Sequence, residues 1–252
     1  MKKLLEFIIL EFKLLFRVPI ELFFTILFPQ MLMCVFVFMN GNNKIFNGCY
    51  FIDIYLPIMM LLSLFSSGII SFAVIVAGNR SEKLWQLYRI RGFKLWQIIL
   101  SEIFVNVFLT FIGCLLLVIS AKIFFNAKIG TPWEIVKFLM IWIIMAISTF
   151  MIGFVVGVLC KSEKTAQSVS TPIMFILMIC SGIMVRYDSF PESIQKIMSY
   201  LPTTQSNWIL VKYWANLDTS YGRIKWYVIF IWLLLSISVI VYKLYKDNFE
   251  RI

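Results

Sequence analysis

Histidine is absent from this chain of 252 residues, and charged side chains make up only 14% of it. Without histidine there is no Ser-His pair and no histidine ligand for zinc, and no aspartate lies within the long apolar runs of the chain. Nucleophilic, zinc and paired-aspartate catalysis depend on those side chains. A soluble domain averages roughly 25% charged residues. The sequence therefore argues against an enzyme and against a soluble globular protein.

Two further motifs are missing. No two glycines lie five positions apart, so the phosphate-binding pattern GxxxxGK[ST] cannot occur and the chain cannot be its own ATPase. The five cysteines show no CxxC spacing, and four of them lie in apolar runs, where a thiol usually acts as a small hydrophobe. We therefore predict no disulfide framework, no metal site and no cofactor in this chain.

Long apolar runs are present in their place, and 61% of the residues are hydrophobic. A helix needs roughly 20 apolar residues to cross a bilayer core of about 30 Å. Glu21 is the only charged residue in the six runs that approach this length, which are 20–38, 54–77, 103–121, 138–160, 165–185 and 226–242. The sequence predicts an all-α integral membrane protein with six transmembrane helices, forming a single transmembrane domain over residues 1–252.

The distribution of lysine and arginine predicts the orientation in the cell membrane. With both termini in the cytoplasm, the inner segments hold 14 of the 23 cations, and the density is highest in short inner loops. The loop between the second and third runs alone contains Arg80, Lys83, Arg89, Arg91 and Lys94. Topology therefore explains the net charge of +10 better than nucleic-acid binding does.

Residues 1–18 form a separate amphipathic segment. Charges interrupt its apolar residues, so it does not have the pattern of a cleaved signal peptide. At helical spacing, one arc holds the charged residues Lys2, Lys3, Glu6, Lys13 and Arg17, and the opposite arc holds Leu5, Ile8, Ile9, Phe12 and Phe16. We predict a helix lying in the inner membrane interface and ending near Pro19. It is either a lipid anchor or a lever between the first span and a cytoplasmic partner.

The loop 78–102 is predicted to contain a short helix followed by a second helix that continues into the third run. Ser81 can cap the short helix, and Gly92 can end it in a left-handed conformation. Its bulky apolar patch is formed by Leu84, Trp85, Leu87 and Tyr88, next to Arg89 and Arg91. The patch either lies on the membrane surface or inserts into a groove on a partner, with Trp85 and Tyr88 as anchors.

The segment 181–225, on the outer side, is predicted to form two short helices. Ser189 and Glu192 have the spacing of a capping box, with Pro191 in the first turn, and Pro202 is expected to end this first helix. Its apolar stripe consists of Ile194, Ile197, Met198 and Leu201; a second helix would begin at Thr203 or Thr204 and carry Trp208, Val211 and Trp214. We predict a partly re-entrant cap over the outer half of the bundle, the alternative being an ordinary folded loop.

These features together resemble the permease subunits of type-2 ABC exporters, the ABC-2 type transporter family. The resemblance covers nearly the whole chain, and "LFP" at 27–29 also fits it. Its most specific residues are those of the predicted extracellular cap, Ser181, Gly182, Pro191, Leu201, Pro202 and Thr203. It implies that the loop 78–102 holds a coupling helix that docks on an ATPase through Glu82, Leu84, Trp85, Leu87, Tyr88, Arg89 and Arg91.

The resemblance further implies two ABC ATPase subunits that bind ATP and Mg²⁺, and a dimer with a second copy or a close relative. We expect an exporter of a hydrophobic or amphipathic substrate, with an amphipathic antimicrobial or cytolytic peptide favoured over a drug or a lipid-like molecule. Candidate path residues in the spans are Phe65, Phe72, Trp142, Phe150, Met174 and Met178. Gly153 and Gly157 form a GxxxG pair that allows close helix approach, within one subunit or across a dimer.

Two other classes remain open. An ion-coupled transporter or channel usually buries acids or lysines at mid-membrane, whereas here only Glu21 and Glu102, near the ends of spans, and the uncharged Asn106 are available. A membrane scaffold without transport activity would show no dependence on an ATPase. Copurification of an ATPase whose activity depends on Trp85 would distinguish an exporter from such a scaffold.

Overall fold

The computed structural model describes residues 8–9, 12, 22–41, 44–46, 49–128, 131–185, 187–215 and 224–249. In these ranges the chain is helical apart from one short ribbon. A π-helical turn, Phe23–Leu27, leads into the first α-helix, and a second π-helical segment, Ser66–Ser71, joins α2 to α3. The α-helices are α1 Phe28–Asn40, α2 Phe51–Phe65, α3 Phe72–Ser81, α4 Leu84–Ile90, α5 Leu95–Phe125, α6 Pro132–Leu159, α7 Glu163–Cys180, α8 Glu192–Met198, α9 Pro202–Ala215 and α10 Trp226–Phe249.

Three helices are long and apolar enough to cross a membrane: Phe51–Ser81, Leu95–Phe125 and Pro132–Leu159. They confirm the second, third and fourth predicted runs and extend beyond them at nearly every end. Two shorter apolar helices, Thr25–Met39 and Trp226–Ser238, lie in the first and sixth runs. The fifth run contains α7, which begins with charged and polar residues. The all-helical membrane fold is confirmed, and the count of six spans stays a prediction.

The helix α7, in the fifth predicted run, is shorter than predicted. It ends at Cys180 rather than near Val185, because Gly182 has a φ of +82°, a left-handed conformation that stops an α-helix. Ser162 starts this helix as its N-cap, since its side chain accepts a hydrogen bond from the Thr165 N–H.

A short antiparallel ribbon, Lys44–Phe46 with Cys49–Tyr50, precedes α2. Asp53, in the first turn of α2, is buried there. Its carboxylate accepts hydrogen bonds from the Tyr50 N–H at 3.1 Å and from the Lys128 N–H at 2.8 Å. Asp53 thus fixes the start of α2 to the connection between α5 and α6. The predicted span began one residue later, so this buried acid was not foreseen.

A close helix approach lies between α6 and the segment that joins α2 to α3. A Cβ atom built on Gly153 would overlap the carbonyl oxygen of Gly68, and one built on Gly157 would lie 2.7 Å from the Ala73 carbonyl oxygen. Gly68 belongs to the π-helical segment Ser66–Ser71, a local widening of the helix. The GxxxG pair is therefore used inside one chain, which decides between the two roles left open for it.

The aromatic and methionine residues proposed for a substrate path are part of the core. All six are buried: Phe65, Phe72, Trp142, Phe150, Met174 and Met178. Trp142 packs edge-on against Phe111, and Phe72 lies 5.2 Å from Phe150 between ring centroids. Within a single chain these residues hold helices together, and their role in a substrate path stays a prediction.

Two ends of the bundle are recognisable from their contacts. At one end, the Arg80 guanidinium donates to the Val158 carbonyl oxygen, and Gly78 lies next to Glu163. The connections 78–94 and 158–164 therefore meet, and we call this the basic end. The opposite end holds the ribbon, Lys128 after α5, and the described residues 180–185, 187–215 and 224–225.

Of the predicted N-terminal helix, only residues 8–9 and 12 are among those that the structure describes. Ile8 and Phe12 pack against Val105 and Leu109 of α5. The Phe12 ring meets the Phe108 ring edge-on at 5.4 Å. The charged arc of that helix, and Glu21 at the start of the first run, lie outside the described residues.

Candidate functional site

The short helix α4 lies at the basic end, between the last turn of α3 and the start of α5. Lys83, between α3 and α4, has a left-handed φ of 59°, which interrupts the helical conformation there. Ser81 does not cap α4 as predicted, because it is the last residue of α3 and its hydroxyl donates to the Gly78 carbonyl oxygen. Gly92 has a φ of 86°, which confirms the predicted left-handed residue after the helix.

Trp85 faces inward from α4. Its side chain is only 7% exposed and stacks on Phe154, with ring centroids 6.2 Å apart and planes 14° apart. It belongs to a core cluster completed by Phe72, Val76, Ile98, Phe150 and Val158, against which Tyr88 also packs. The sequence-based interpretation of Trp85 as an anchor for a partner therefore needs correction, since the indole already fills the interior of its own chain.

Glu102 is the polar centre of this region and is fully buried. Its Oε1 accepts a hydrogen bond from the Trp85 Nε1–H at 3.1 Å and another from the Asn79 amide at 2.7 Å. One carboxylate oxygen thus connects three segments: the end of α3, the helix α4 and the second turn of α5. We call these three residues the Glu102 joint. The sequence placed Glu102 at the edge of a span and missed both partners.

A row of polar side chains continues from the joint along α5. The Asn106 amide donates to the Glu102 carbonyl oxygen at 2.9 Å, and the Thr110 hydroxyl lies 2.8 Å from both the Asn106 carbonyl oxygen and the Ser67 hydroxyl. These residues recur every four positions and are buried, so they share the inner face of α5. Ser67 belongs to the π-helical segment, so the row connects the basic end to the close contact of that segment with Gly153.

The other side of α4 is exposed. We define the α4 surface as the exposed side chains Glu82, Lys83, Leu87, Arg89, Ile90 and Arg91. Ile90 is 84% exposed, and Leu87 is also well exposed. Leu84 and Tyr88 are half-buried at its edge. Ile90 was not among the predicted docking residues, because the predicted patch ended before it. Three cations next to two bare apolar side chains suit a partner or a lipid headgroup layer.

The second predicted site contains α8 and α9, and three details of the prediction are wrong. Ser189 lies in a short 3₁₀ turn, and α8 has no side-chain cap, so the capping box is not formed. Pro191 is the residue before α8, and Pro202 begins α9 rather than ending α8. Leu201 lies between the two helices. The apolar stripe is only partly buried, since Met198 is enclosed but Ile197 is 70% exposed.

Ser181 and Gly182 are joined to α9. The Asn207 amide donates to the Ser181 carbonyl oxygen at 2.8 Å, and the Thr204 hydroxyl donates to the Cys180 carbonyl oxygen at 3.0 Å. The first ten residues of α9 are buried, Pro202 and Thr203 among them. The structure thus brings together four of the six predicted cap residues, Ser181, Gly182, Pro202 and Thr203, whereas Pro191 lies exposed at the start of α8.

Lys225 holds the segment before α10 against the same region. Its N–H donates to the Gln205 side chain at 2.8 Å, its ammonium donates to the Ser199 hydroxyl at 2.9 Å, and the ammonium lies 3.8 Å from the centre of the Tyr200 ring. The helices α8, α9 and α10 are therefore tied together at the opposite end.

Within the described part of the chain, no three Cys, Asp or Glu side chains lie close enough to hold a metal ion. The buried carboxylates of Asp53 and Glu102 both accept hydrogen bonds from nitrogen donors of their own chain. What the arrangement offers is an exposed helix, α4, that is attached firmly to long apolar helices.

Comparison with known proteins identifies the family. A family model described as "ABC-2 family transporter protein" matches residues 40–244, which includes α4 with the Glu102 joint and the helices α8 and α9. A comparison with curated proteins gives no match. In this family the membrane subunit is a transport subunit, and the ATPase is a separate chain. The match covers most of the 252 residues, and the chain therefore belongs to the ABC-2 family of transporter proteins.

Proposed function

We propose that this chain is the membrane-spanning half of an ATP-driven exporter and that the α4 surface binds the ABC ATPase. The observation that carries the proposal is the two-sided character of α4. Its inner side is fixed by Trp85 in the core, and its outer side presents Leu87 and Ile90 among arginines. A short helix built in this way can receive a push from a cytoplasmic subunit and pass it to the helices behind it.

The proposed topology has six spans in one domain, with both termini in the cytoplasm. Support comes from the basic end, where the cation-rich connection 78–94 lies beside the connection 158–164. The second connection contributes two more cations, Lys161 and Lys164. Short loops rich in lysine and arginine usually stay in the cytoplasm. With the basic end inside, α8 and α9 lie at the outer side, where they form the proposed partly re-entrant cap.

A second copy of the chain, or a close relative, completes the proposed transporter together with two ATPase subunits that bind ATP and Mg²⁺. The exposed face of α7 supports pairing, because Gln167 and Ser168 are exposed on a helix that lies in a predicted span. Lipid tails offer such side chains no hydrogen bonds, whereas polar and small residues are common where membrane helices meet. ATP binding would draw the two α4 helices together and rock the spans to release substrate outward.

The proposed substrate is hydrophobic or amphipathic, with an amphipathic peptide favoured over a drug or a lipid-like molecule. An apolar cleft of about 500 Å³ near the outer ends of α1 and α5 supports this class, since Cys34, Val37, Phe38 and Phe125 line it. The ion-coupled alternative is less well supported, because the buried acids Asp53 and Glu102 are engaged by nitrogen donors of the same chain.

Replacing Ile90 by glutamate should strongly weaken binding of the ATPase. The change places a charge at an exposed apolar position of the α4 surface, and loss of a central contact of this kind typically weakens an interface by about tenfold or more. The measurement is the amount of ATPase that copurifies with the tagged chain, using the ABC ATPase reading frame nearest to its gene. Ile197→Glu is the matched control, since Ile197 is also largely exposed but lies on α8 at the opposite end.

Normal recovery of the ATPase with Ile90→Glu would contradict docking through this surface. If Ile90→Glu instead left ATPase binding intact but released α4 toward water, as shown by faster proteolysis at Arg89 or Arg91, the helix would lie on the membrane surface. Equal loss of ATPase with Ile197→Glu would show that any added charge disrupts the complex.

Cysteines introduced at Glu82 and Glu192 should be labelled from opposite sides of the membrane. Both side chains are exposed, and Glu82 is preferable to Lys83 because Lys83 has a left-handed φ. An impermeant maleimide should label Glu192→Cys in intact cells and Glu82→Cys only after permeabilisation. The chain without added cysteine is the control. The native Cys160 near the basic end is buried, so it should react slowly. Labelling of both positions from one side would overturn the proposed topology.

A further inference from the structure

We propose that Glu102 is the positioning residue that makes α4 and α5 move as one body, so that a displacement of α4 by the ATPase reaches the transmembrane helices. This inference rests on the proposed docking of the ATPase on α4. The residue itself does not touch the ATPase, because it is buried behind Trp85.

The geometry of the Glu102 joint carries the inference. Glu102 lies seven residues after the start of α5, or about 10 Å along the helix. Its Oε1 receives the Trp85 Nε1–H of α4 and the Asn79 amide of α3. Hydrogen bonds to a carboxylate are shorter and stronger than those between neutral groups. The two connections that flank α4 are short turns. The bond from Trp85 to Glu102 adds a directional contact to the packing of Trp85 on Phe154, and together they fix the rotation and position of α4.

Packing alone would not need a carboxylate. A leucine at position 102 could fill the same space without losing hydration, whereas a buried acid is costly unless donors reach it. Directional bonds from two other segments give α4 one orientation, which apolar contacts specify less strictly. The buried row Asn106, Thr110 and Ser67 then extends from the joint toward the contact of the π-helical segment with Gly153. A rotation of α4 is thus transferred to α5 and to the joined helices α2 and α3.

Three substitutions separate the hydrogen bonds from packing and from charge. Glu102→Gln keeps the oxygen that accepts both bonds and removes the negative charge. Glu102→Leu keeps a similar volume and removes the acceptor. Trp85→Phe keeps an aromatic ring beside Phe154 and removes the N–H donor. Leu100→Ala, on the exposed side of α5 two residues before Glu102, is the control for an ordinary substitution in this helix.

The first measurement tests whether α4 is held. Spin labels at Leu87→Cys on α4 and Leu116→Cys on α5 are both exposed, and the distance between them is measured in nanodiscs without the ATPase. We expect a narrow distribution for the parent chain, Glu102→Gln and Leu100→Ala. We expect a distribution at least about twice as wide for Glu102→Leu and Trp85→Phe. Because both changes break the same bond, the double variant should be no wider than Glu102→Leu. Equal widths in all variants would overturn the inference.

The second measurement tests coupling and uses the complex with the ATPase. An environment-sensitive fluorophore at Ile197→Cys, on the exposed face of α8, reports changes at the outer side when ATP and vanadate are added. The response is divided by the amount of bound ATPase. We expect Glu102→Leu to lose most of the response and Glu102→Gln to retain it, which a general loss of stability would not produce.

The two failures are distinguishable. If the parent complex gives no response to ATP and vanadate, or does not form, the proposed function fails. If the parent responds and Glu102→Leu responds equally, the proposed function stands and the role of Glu102 is refuted. If Glu102→Gln fails together with Glu102→Leu, the acceptor role is also refuted, because the lost property is then the charge.

Discussion

Gly153→Ala should lower the thermal unfolding temperature of the purified chain more than any other single added methyl group on α6. The new Cβ would overlap the Gly68 carbonyl oxygen, which belongs to the backbone and cannot swing away. The helices must separate instead, and overpacking of this kind costs about 1–3 kcal/mol or more. In a chain of this size that corresponds to a decrease of roughly 2–12 °C. The measurement is a melting curve in detergent, followed by size-exclusion chromatography.

Two further variants define this expectation. Gly157→Ala should cause a smaller decrease, because its nearest backbone neighbour, the Ala73 carbonyl oxygen, is farther away at 2.7 Å. Val136→Leu adds volume at an exposed position of the same helix and should leave the curve within about 0.5 kcal/mol of the parent. If Gly153→Ala melts like the parent but alters assembly with a second copy, the glycine pair serves a dimer contact rather than the contact inside the chain.

Trp85→Ala should also destabilise the chain strongly, by about 3–5 kcal/mol, as expected when a buried tryptophan is truncated. The change removes the stack on Phe154 and takes one donor away from Glu102. Leu87→Ala, two residues further along α4 and largely exposed, should cost less than about 0.5 kcal/mol. Thermal melting of the isolated chain, without the ATPase, measures both effects.

The same pair of variants distinguishes the two interpretations of α4. If Trp85 were an anchor for a partner, Trp85→Ala would leave the isolated chain as stable as the parent and would weaken only the complex. In the structure Trp85 is buried in the core and Leu87 is exposed on α4. We therefore expect Trp85→Ala to lower the stability of the isolated chain and Leu87→Ala to weaken ATPase binding. A parent-like melting curve for Trp85→Ala would therefore restore the interpretation of Trp85 as a docking residue.

The membrane helices were predictable because they depend on local properties. A run of apolar residues without charge is recognisable whatever lies around it, so the three long helices appear where the sequence predicts them. Gly92 was predictable for a similar reason, since a glycine after a helical pattern often takes the left-handed conformation observed there. The end of α7 was predicted too late, because the apolar run continues past Gly182 although the helix does not.

The contacts of the candidate site were not predictable in the same way. The exposed and buried sides of α4 differ little in composition, since Trp85 and Ile90 are both apolar, yet one lies in the core and the other is 84% exposed. Pro202 was assigned to the end of a helix and begins one, because proline suits the first turn as well as a break after the last. Pattern alone does not choose between such alternatives.

Membrane residence, the place of a short basic helix between two spans, and the lack of a phosphate-binding loop were already settled by the order of the residues, because each depends on neighbours in the chain. The direction that Trp85 faces, the burial of Glu102 and the use of Gly153 inside one chain were settled by folding. They depend on Phe154, Asn79 and Gly68, residues distant in sequence that meet these side chains when the helices pack.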